Sequence, residues 1–322
     1  MRAESRTDVL LSPAAPHETR KIVLQVKRIK RQVSGVLLLD KPHGISSNAA
    51  LQQVKRLYQA AKAGHTGNLD PIATGLLPLC FGEATKFSQF LLDANKTYQA
   101  IFTLGRTTTT GDAEGELVTQ QPVDVTRCQV EAALQRFVGE IEQVPPMHSA
   151  IKFQGKALYT YARAGVEIER KARQVTIYSL TLDAFDKDEL RVTVECSKGT
   201  YIRVLAEDLG KALGCGAFMQ ALRRTRIGDF NLSQSVTLPQ LEAMGAADRD
   251  GLLRPADCLI ESMPRIVLDD DSAFYVRQGQ AVWLPKQKAS GLVRLYDEKQ
   301  VFVGLGQIGD DGKVAPKRLV VR

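Results

Sequence analysis

No C-x-x-C pair occurs in this 322-residue chain, although it holds five cysteines: Cys80, Cys128, Cys196, Cys215 and Cys258. Odd in number and widely scattered, they read as small buried hydrophobes of a reducing compartment, which sets aside both a disulfide framework and a zinc site. Histidine is scarce too. His17, His43, His65 and His148 stand at no metal-ligand spacing, so the sequence offers no metal site. No apolar run approaches the roughly 20 residues that span a bilayer. The start, MRAESRTDVLLSPAAPHETRK, carries a short apolar patch among charges and lacks the form of a secretory signal. The expected setting is therefore the cytoplasm, with no membrane partner. There is no G-x-x-x-x-G-K-[ST] loop to recruit a nucleoside triphosphate. GLGQIG (304–309) does match G-x-G-x-x-G, but a turn follows at Asp310-Asp311-Gly312 and only thirteen residues remain after Gly309. A helix, a second strand and a ribose-binding acid do not fit in that space. No cofactor is expected.

What the chain does have is an unevenly placed positive charge. The formal net charge is +7, yet residues 20–60 alone hold nine Lys/Arg against one acid, Asp40. The surplus thus lies in RKIVLQVKRIKRQ and the stretch after it. Concentrated charge of this kind attracts polyphosphate backbones, though a solvated basic arm has the same composition. Residues 1–32 lack a sustained period, contain Pro13 and Pro16, and read as a flexible basic extension.

From Gly35 onward the patterns alternate between strand and helix. GVLLLD (35–40) is a buried strand candidate, stopped by Lys41-Pro42. SSNAALQQVKRLYQA (46–60) reads as a helix capped by Ser46 or Ser47, with Ala50, Val54, Leu57 and Tyr58 on one face. Helices are also expected over 84–94, 127–138 and 200–214. KTYQAIFTLG (96–105), 173–185 and 189–197 alternate as half-buried strands. Strands and helices without a regular βαβ beat argue for an α+β fold. After Pro255, short strand patterns with tight turns suggest a small β-barrel. This divides the chain into an extension (1–32), a main domain (33–254) and a C-terminal domain (255–322). Within GHTGNLDPIATGLLP (64–78), local rules make Asp70 a helix N-cap, because its oxygen accepts an orphan backbone N–H and Pro71 suits the first helical position. Arg223, Arg224 and Arg226 fit a solvated surface and a phosphate clamp equally well.

Six ordered blocks carry a resemblance. They are GVLLLDKPHGISSN (35–48), GHTGNLDPIATGLLPLCFGEATK (64–86), KTYQ (96–99), VPPMHSAIKFQGKALYTYAR (144–163), CSKGTYIRVLAEDLG (196–210) and LRRTRIG (222–228). Together the chain resembles the TruB family, standalone bacterial tRNA pseudouridine synthases that modify uridine 55 in the T-arm. The resemblance implies a pseudouridine synthase fold, with a mixed, mainly antiparallel central sheet flanked by helices and loops, and a small C-terminal PUA-like β-barrel that binds RNA. It implies an isomerase that acts as a monomer on tRNA, flips the target base and needs no metal. It makes Asp70 the catalytic aspartate and Arg203 its ion-pair partner. Tyr98 is expected to stack on the flipped base, with Tyr201 and the backbone near Leu222 lining the uracil pocket. His65 is expected to fill the space the nucleotide leaves. Lys41 is offered two roles, phosphate contact or support of the site. Asn68 and His148 depart from the residues usual at their positions, and neither is expected to touch the catalytic set.

Two other readings fit parts of the pattern. One is an RNA-binding or RNA-folding protein in which catalysis is secondary; Asp70, Tyr98 and Arg203 together speak for an enzyme instead. The other is a guide-RNA-dependent synthase subunit, against which we expect standalone action.

Overall fold

The computed structural model describes residues 30–284 and 290–321, so nearly all of the expected basic extension lies outside the described residues. The main domain is built on one ten-stranded sheet, counted among the described residues. Across it the strands run Val236–Thr237, Gly35–Lys41, Ala73–Phe81, Ala217–Ile227, Lys96–Leu104, Glu189–Cys196, Arg173–Asp186 and Gly139–Gln143. Two short strands, Ala63–His65 and Phe230–Asn231, pair off this path. Only the pairings Gly35–Lys41 with Val236–Thr237 and Ala73–Phe81 with Ala217–Ile227 are parallel. The sheet is mixed and mainly antiparallel, and the α+β class holds.

The sequence patterns explain which strands sit at the centre. GVLLLDK has no alternation and is covered on both faces, as a central strand requires. ATGLLPLCF is likewise buried almost throughout. Lys96–Leu104 alternates instead, with Lys96, Tyr98, Ala100, Phe102 and Leu104 on its buried side. That side packs with the helices Arg127–Gln135 and Ile202–Leu213 into the largest core cluster. Phe102 is fully buried there, and Phe102→Ala would cost about 3–5 kcal/mol through lost transfer energy and a cavity.

Pro78 is tolerated inside a central strand because of a gap. Its carbonyl accepts from the Thr66 N–H at 3.2 Å, so its nitrogen faces the same edge. On that edge residues 79–81 pair with Ala63–His65 and residues 73–75 pair with Ala217–Ile227, leaving position 78 between two partners. No ladder bond is lost to the missing N–H. Gly75 is required for a different reason: its φ is +102° and a Cβ would collide with the backbone of Arg224 on the adjoining strand.

The helix Ser47–Leu57 is capped by Ser46, whose Oγ accepts from the Ala49 N–H at 3.1 Å. Its Ala50, Leu51 and Val54 face the core formed with the Gly35–Lys41 and Ala73–Phe81 strands. The helix expected over 84–94 divides into a 3-10 turn, Gly82–Phe87, and an α-helical turn, Ser88–Asp93. The helix start expected at Asp70-Pro71 does not occur. Those residues form a turn, closed by Ala73 N–H on Asp70 O at 3.0 Å, and the chain goes directly into the Ala73–Phe81 strand. Apolar residues at 72, 73, 76 and 77 offered burial on both faces of a sheet, and that outweighed the local capping preference.

After Pro264 the chain forms a five-stranded sheet in the order Arg265–Val267, Gly291–Tyr296, Phe302–Ile308, Lys313–Leu319 and Val282–Trp283. Its two outer strands are not paired with each other among the described residues, so the expected barrel is an open one. Phe302 and Leu305 pack with Phe87 of the main domain and with Leu259 and Ile260, which precede the sheet. The last strand is pinned there as well. Lys86 Nζ donates to Leu319 O at 2.7 Å, and the Val321 N–H donates to Glu83 Oε2 at 2.6 Å.

Candidate active site

Residues 66–72 form a loop between Ala63–His65 and Ala73–Phe81, and it is tied down from three directions. From the first turn of the Ser47–Leu57 helix, Ser47 Oγ donates to Leu69 O (3.0 Å) and accepts from Leu69 N–H (2.7 Å). From the loop before that helix, the Gly44 N–H donates to Pro71 O at 2.8 Å. From the sheet side, Arg224 donates through Nε to Leu76 O at 2.7 Å, and its terminal nitrogens stand 3.5 Å from the carbonyls of Gly67 and Asn68. The Leu69 and Leu76 groups satisfied here are buried, where an unmade hydrogen bond is costly. The main chain on both sides of Asp70 is thereby fixed.

The Asp70 side chain is 34% exposed and ion-paired with Arg203, which is only 6% exposed. Arg203 also reaches a second carboxylate. Its Nη1 lies 3.2 Å from Asp112 Oδ2, and the Asp112 side chain is 2% exposed. Asp112 is held in turn by Thr110 Oγ1 at 2.5 Å and by the Glu114 N–H at 3.1 Å. One planar guanidinium thus bridges a sealed carboxylate and an accessible one, which fixes the orientation of the accessible carboxylate. Burial pushes the Arg203 guanidinium below the usual arginine range, with the Glu207 carboxylate opposing.

Two cavities meet at Asp70. One, of about 280 Å³, is lined by Leu69, Tyr98, Tyr201, Ile202 and Leu222 besides the ion pair. The other, of about 790 Å³, reaches outward past His65, Glu114, Tyr159 and Arg163. Both are walled by Asn68, Asp70, His148, Ser149, Ala150 and Arg203. The inner cavity is apolar with a few convergent polar groups, the character of a small-ligand pocket, and lies at the small end of the size range for one.

The structure therefore brings Asp70, Arg203, Tyr98, Tyr201 and Leu222 together around one cavity. Burial raises the pKa of both phenols, at Tyr98 against the opposing pull of the Arg224 guanidinium. His65 stands apart, in the outer cavity; burial and then Arg224 push its pKa down, so the ring is neutral near pH 7. Lys41 reaches neither cavity. It is fully buried, and its Nζ donates to Pro42 O (2.8 Å) and Ile45 O (2.7 Å). The phosphate contact offered for it is thereby corrected, since a sealed ammonium cannot meet a phosphate; support of its own loop remains. Asn68 and His148, the two departures from the usual residues, line the walls of both cavities along with Asp70 and Arg203.

Sequence reasoning missed Asp112, Ser47 and Gln143 and left Arg224 undecided. Asp112 lies in TTTTGDAEGE (107–116), whose composition reads only as a turn-rich loop. Of the three arginines, Arg224 is the buried one, Arg223 pairs with Asp40 at 2.7 Å, and Arg226 is exposed on Gly228 O. Gln143, 2% exposed, bonds to the backbone of Tyr201 through both ends of its amide.

Three family models cover most of the chain: the TruB family pseudouridylate synthase N-terminal domain matches residues 55–202, the tRNA pseudouridylate synthase B C-terminal domain 203–263, and a pseudouridine synthase II TruB C-terminal model 264–320. The tRNA pseudouridine synthase B of Methylobacillus flagellatus is 60% identical over 297 residues, covering 92% of this chain and 98% of its own. That of Ectopseudomonas mendocina is 55% identical over 300 residues, with the same coverage. Among solved structures, a Cbf5-Nop10-Gar1 complex aligns with a TM-score of 0.67 and 27% identity, over 89% of this chain and 84% of the other. An H/ACA RNP bound to a substrate RNA containing 2'-deoxyuridine aligns with a TM-score of 0.66 at 25% identity, over 89% and 85%.

Proposed function

This chain belongs to the TruB family of pseudouridylate synthases, and from that we propose that it isomerises uridine 55 in the T-arm of tRNA, with Asp70 as the catalytic carboxylate. The reaction class is tRNA pseudouridine synthesis, an isomerisation. The bond between N1 of the base and C1' of the sugar breaks, the base turns, and C5 joins C1'. The C5 proton leaves and N1 takes up a proton, so no atom or electron is gained or lost overall.

The observation that carries the reading is the accessible Asp70 carboxylate, ion-paired to a buried Arg203 where the two cavities meet. A pure binding protein has no use for an acid held out in this way. A carboxylate is ionised at neutral pH without help, so what Arg203 adds is orientation. It serves as nucleophile or base toward a uridine seated in the inner cavity. Tyr98 and Tyr201, which line that cavity, would offer the base a ring face and a weak acid, and Leu222 lines it beside them. The neutral His65 ring, in the outer cavity, fills the stack that the flipped nucleotide leaves, offsetting an unstacking cost of a few kcal/mol. In the same reading residues 33–254 are the catalytic domain and 255–322 the RNA-binding domain of a cytoplasmic monomer.

Release of tritium from C5-labelled uridine in a T-arm stem-loop tests the assignment. Asp70→Asn should lose turnover by at least roughly 10²-fold, the scale of a missing acid–base or nucleophilic group, yet still bind the RNA. Normal turnover by that variant would overturn it. The assay also separates a guide-RNA-dependent reading, suggested by the H/ACA neighbour, because it contains no second RNA.

A further inference from the structure

The helix Ile202–Leu213 carries Arg203 in its first turn, yet its N-cap residue, Tyr201, provides no side-chain cap and no acid stands in that turn. The clamp comes from elsewhere. Gln143, the last residue of the Gly139–Gln143 strand, accepts from the Tyr201 N–H at 2.9 Å through Oε1. Its Nε2 donates to Tyr201 O at 3.2 Å. Tyr201 O also accepts the first helical bond, from Leu205 N–H at 3.1 Å. The two bonds fix which end of the amide is oxygen, since a backbone N–H only donates and a carbonyl only accepts. Directly after Gln143 the chain enters residues 144–150, whose His148, Ser149 and Ala150 wall both cavities.

We propose that Gln143 is a positioning residue for the reaction. Through the Tyr201 backbone it sets the Tyr201 ring in the inner cavity and, through the first helical turn, the Arg203 guanidinium against Asp70. The lever is short. Arg203 stands two residues after Tyr201 in the first helical turn, and a helical side chain leans back toward the turn before it, so a rotation of that turn carries the guanidinium with it. If that turn rotates, the guanidinium leaves the bridge between Asp70 and Asp112. Gln143 therefore acts on the placement of reacting groups; at 2% exposure it has almost no surface to offer an RNA. This inference rests on the proposed role of Asp70.

The test is Gln143→Leu, which keeps the volume and removes both bonds, measured on a tRNA substrate beside wild type and Asp70→Asn. Misplacing an acid and its partner by about an ångström costs on the order of 10²-fold in rate, so kcat should fall roughly 10- to 100-fold. KM and the RNA dissociation constant should move less than about 3-fold, because phosphate contacts dominate binding. A kcat within about 2-fold of wild type while Asp70→Asn is inactive would overturn this inference and leave the role of Asp70 standing. An active Asp70→Asn would instead remove the reading beneath it. A rise in KM alone would make Gln143 a binding residue and also overturn the proposal. Should Gln143→Leu not fold, Gln143→Met is measured in its place; if neither folds, the residue belongs to the fold and the proposal fails.

Discussion

Ser46 and Ser47 are neighbours with the same side chain, and the structure predicts different fates for their alanine variants. Ser46 is the exposed N-cap of the Ser47–Leu57 helix and makes one bond, to the Ala49 N–H. Its loss should cost about 1 kcal/mol, the usual value for a cap, with a correspondingly small effect on turnover. Ser47 is fully buried and serves both the N–H and the C=O of Leu69, the residue before Asp70. Ser47→Ala leaves two buried backbone groups unpaired, each costing about 1–3 kcal/mol, so the variant should lose roughly 2–6 kcal/mol. The Asp70 loop then loses one of its three ties, and single-turnover release of C5 tritium should slow by about 10-fold or more. Urea denaturation reads the first quantity and rapid-quench kinetics the second. If Ser47→Ala costs no more stability than Ser46→Ala, or turns over at the wild-type rate, the Leu69 clamp does not set the position of Asp70.

Arg203→Lys should keep the charge and lose the bridge, because an ammonium is a point donor and cannot span two diverging carboxylates. With one charge-assisted bond worth about 1.5–3 kcal/mol gone, turnover should fall roughly 10- to 100-fold while RNA affinity stays within a few-fold; an unchanged rate refutes the bridging role. Lys41 gives a pH signature. Burial lowers its pKa from 10.5 to about 8, so the unfolded chain holds this proton to higher pH than the folded one. Relative to Lys41→Met, wild-type stability should be level below about pH 8 and rise from there toward 10.5. The buried thiols of Cys196, raised to about 11, and Cys80, raised to about 12, and the half-buried thiol of Cys258, also raised to about 12, act in the opposite direction at alkaline pH. The readout is therefore the difference between wild type and variant, and a flat difference curve would mean the ammonium is hydrated.

Local pattern made the elements legible wherever burial and propensity agreed. The alternation in KTYQAIFTL and the unbroken run in GVLLLD translate directly into a half-buried and a central strand. At Asp70-Pro71 they disagreed, and sheet burial of the residues that follow won. The ion pair of Asp70 and Arg203 spans 133 positions. No period or spacing links them; only the family motifs did. Asp112 had no such motif in our reading, and nothing local distinguishes an acid that caps a turn from one sealed under a guanidinium. The three arginines of LRRTRI were ambiguous because a register shift between Arg224 and Arg226 breaks the strict alternation that would assign their sides. Gln143 was invisible for the reason that makes it interesting: its partner is main chain, which carries no residue type to search for.

Arg224 has one more consequence. Its partners are carbonyl oxygens and the Tyr98 hydroxyl, and it is 1% exposed. Dissolved ions damp a surface charge within about 10 Å at 0.1 M salt, but have little hold on one enclosed by protein. The floor beneath the Asp70 loop therefore carries a standing positive field that persists in brine. Charges on the rim of the molecule fade as ionic strength rises, while the field at the crevice does not.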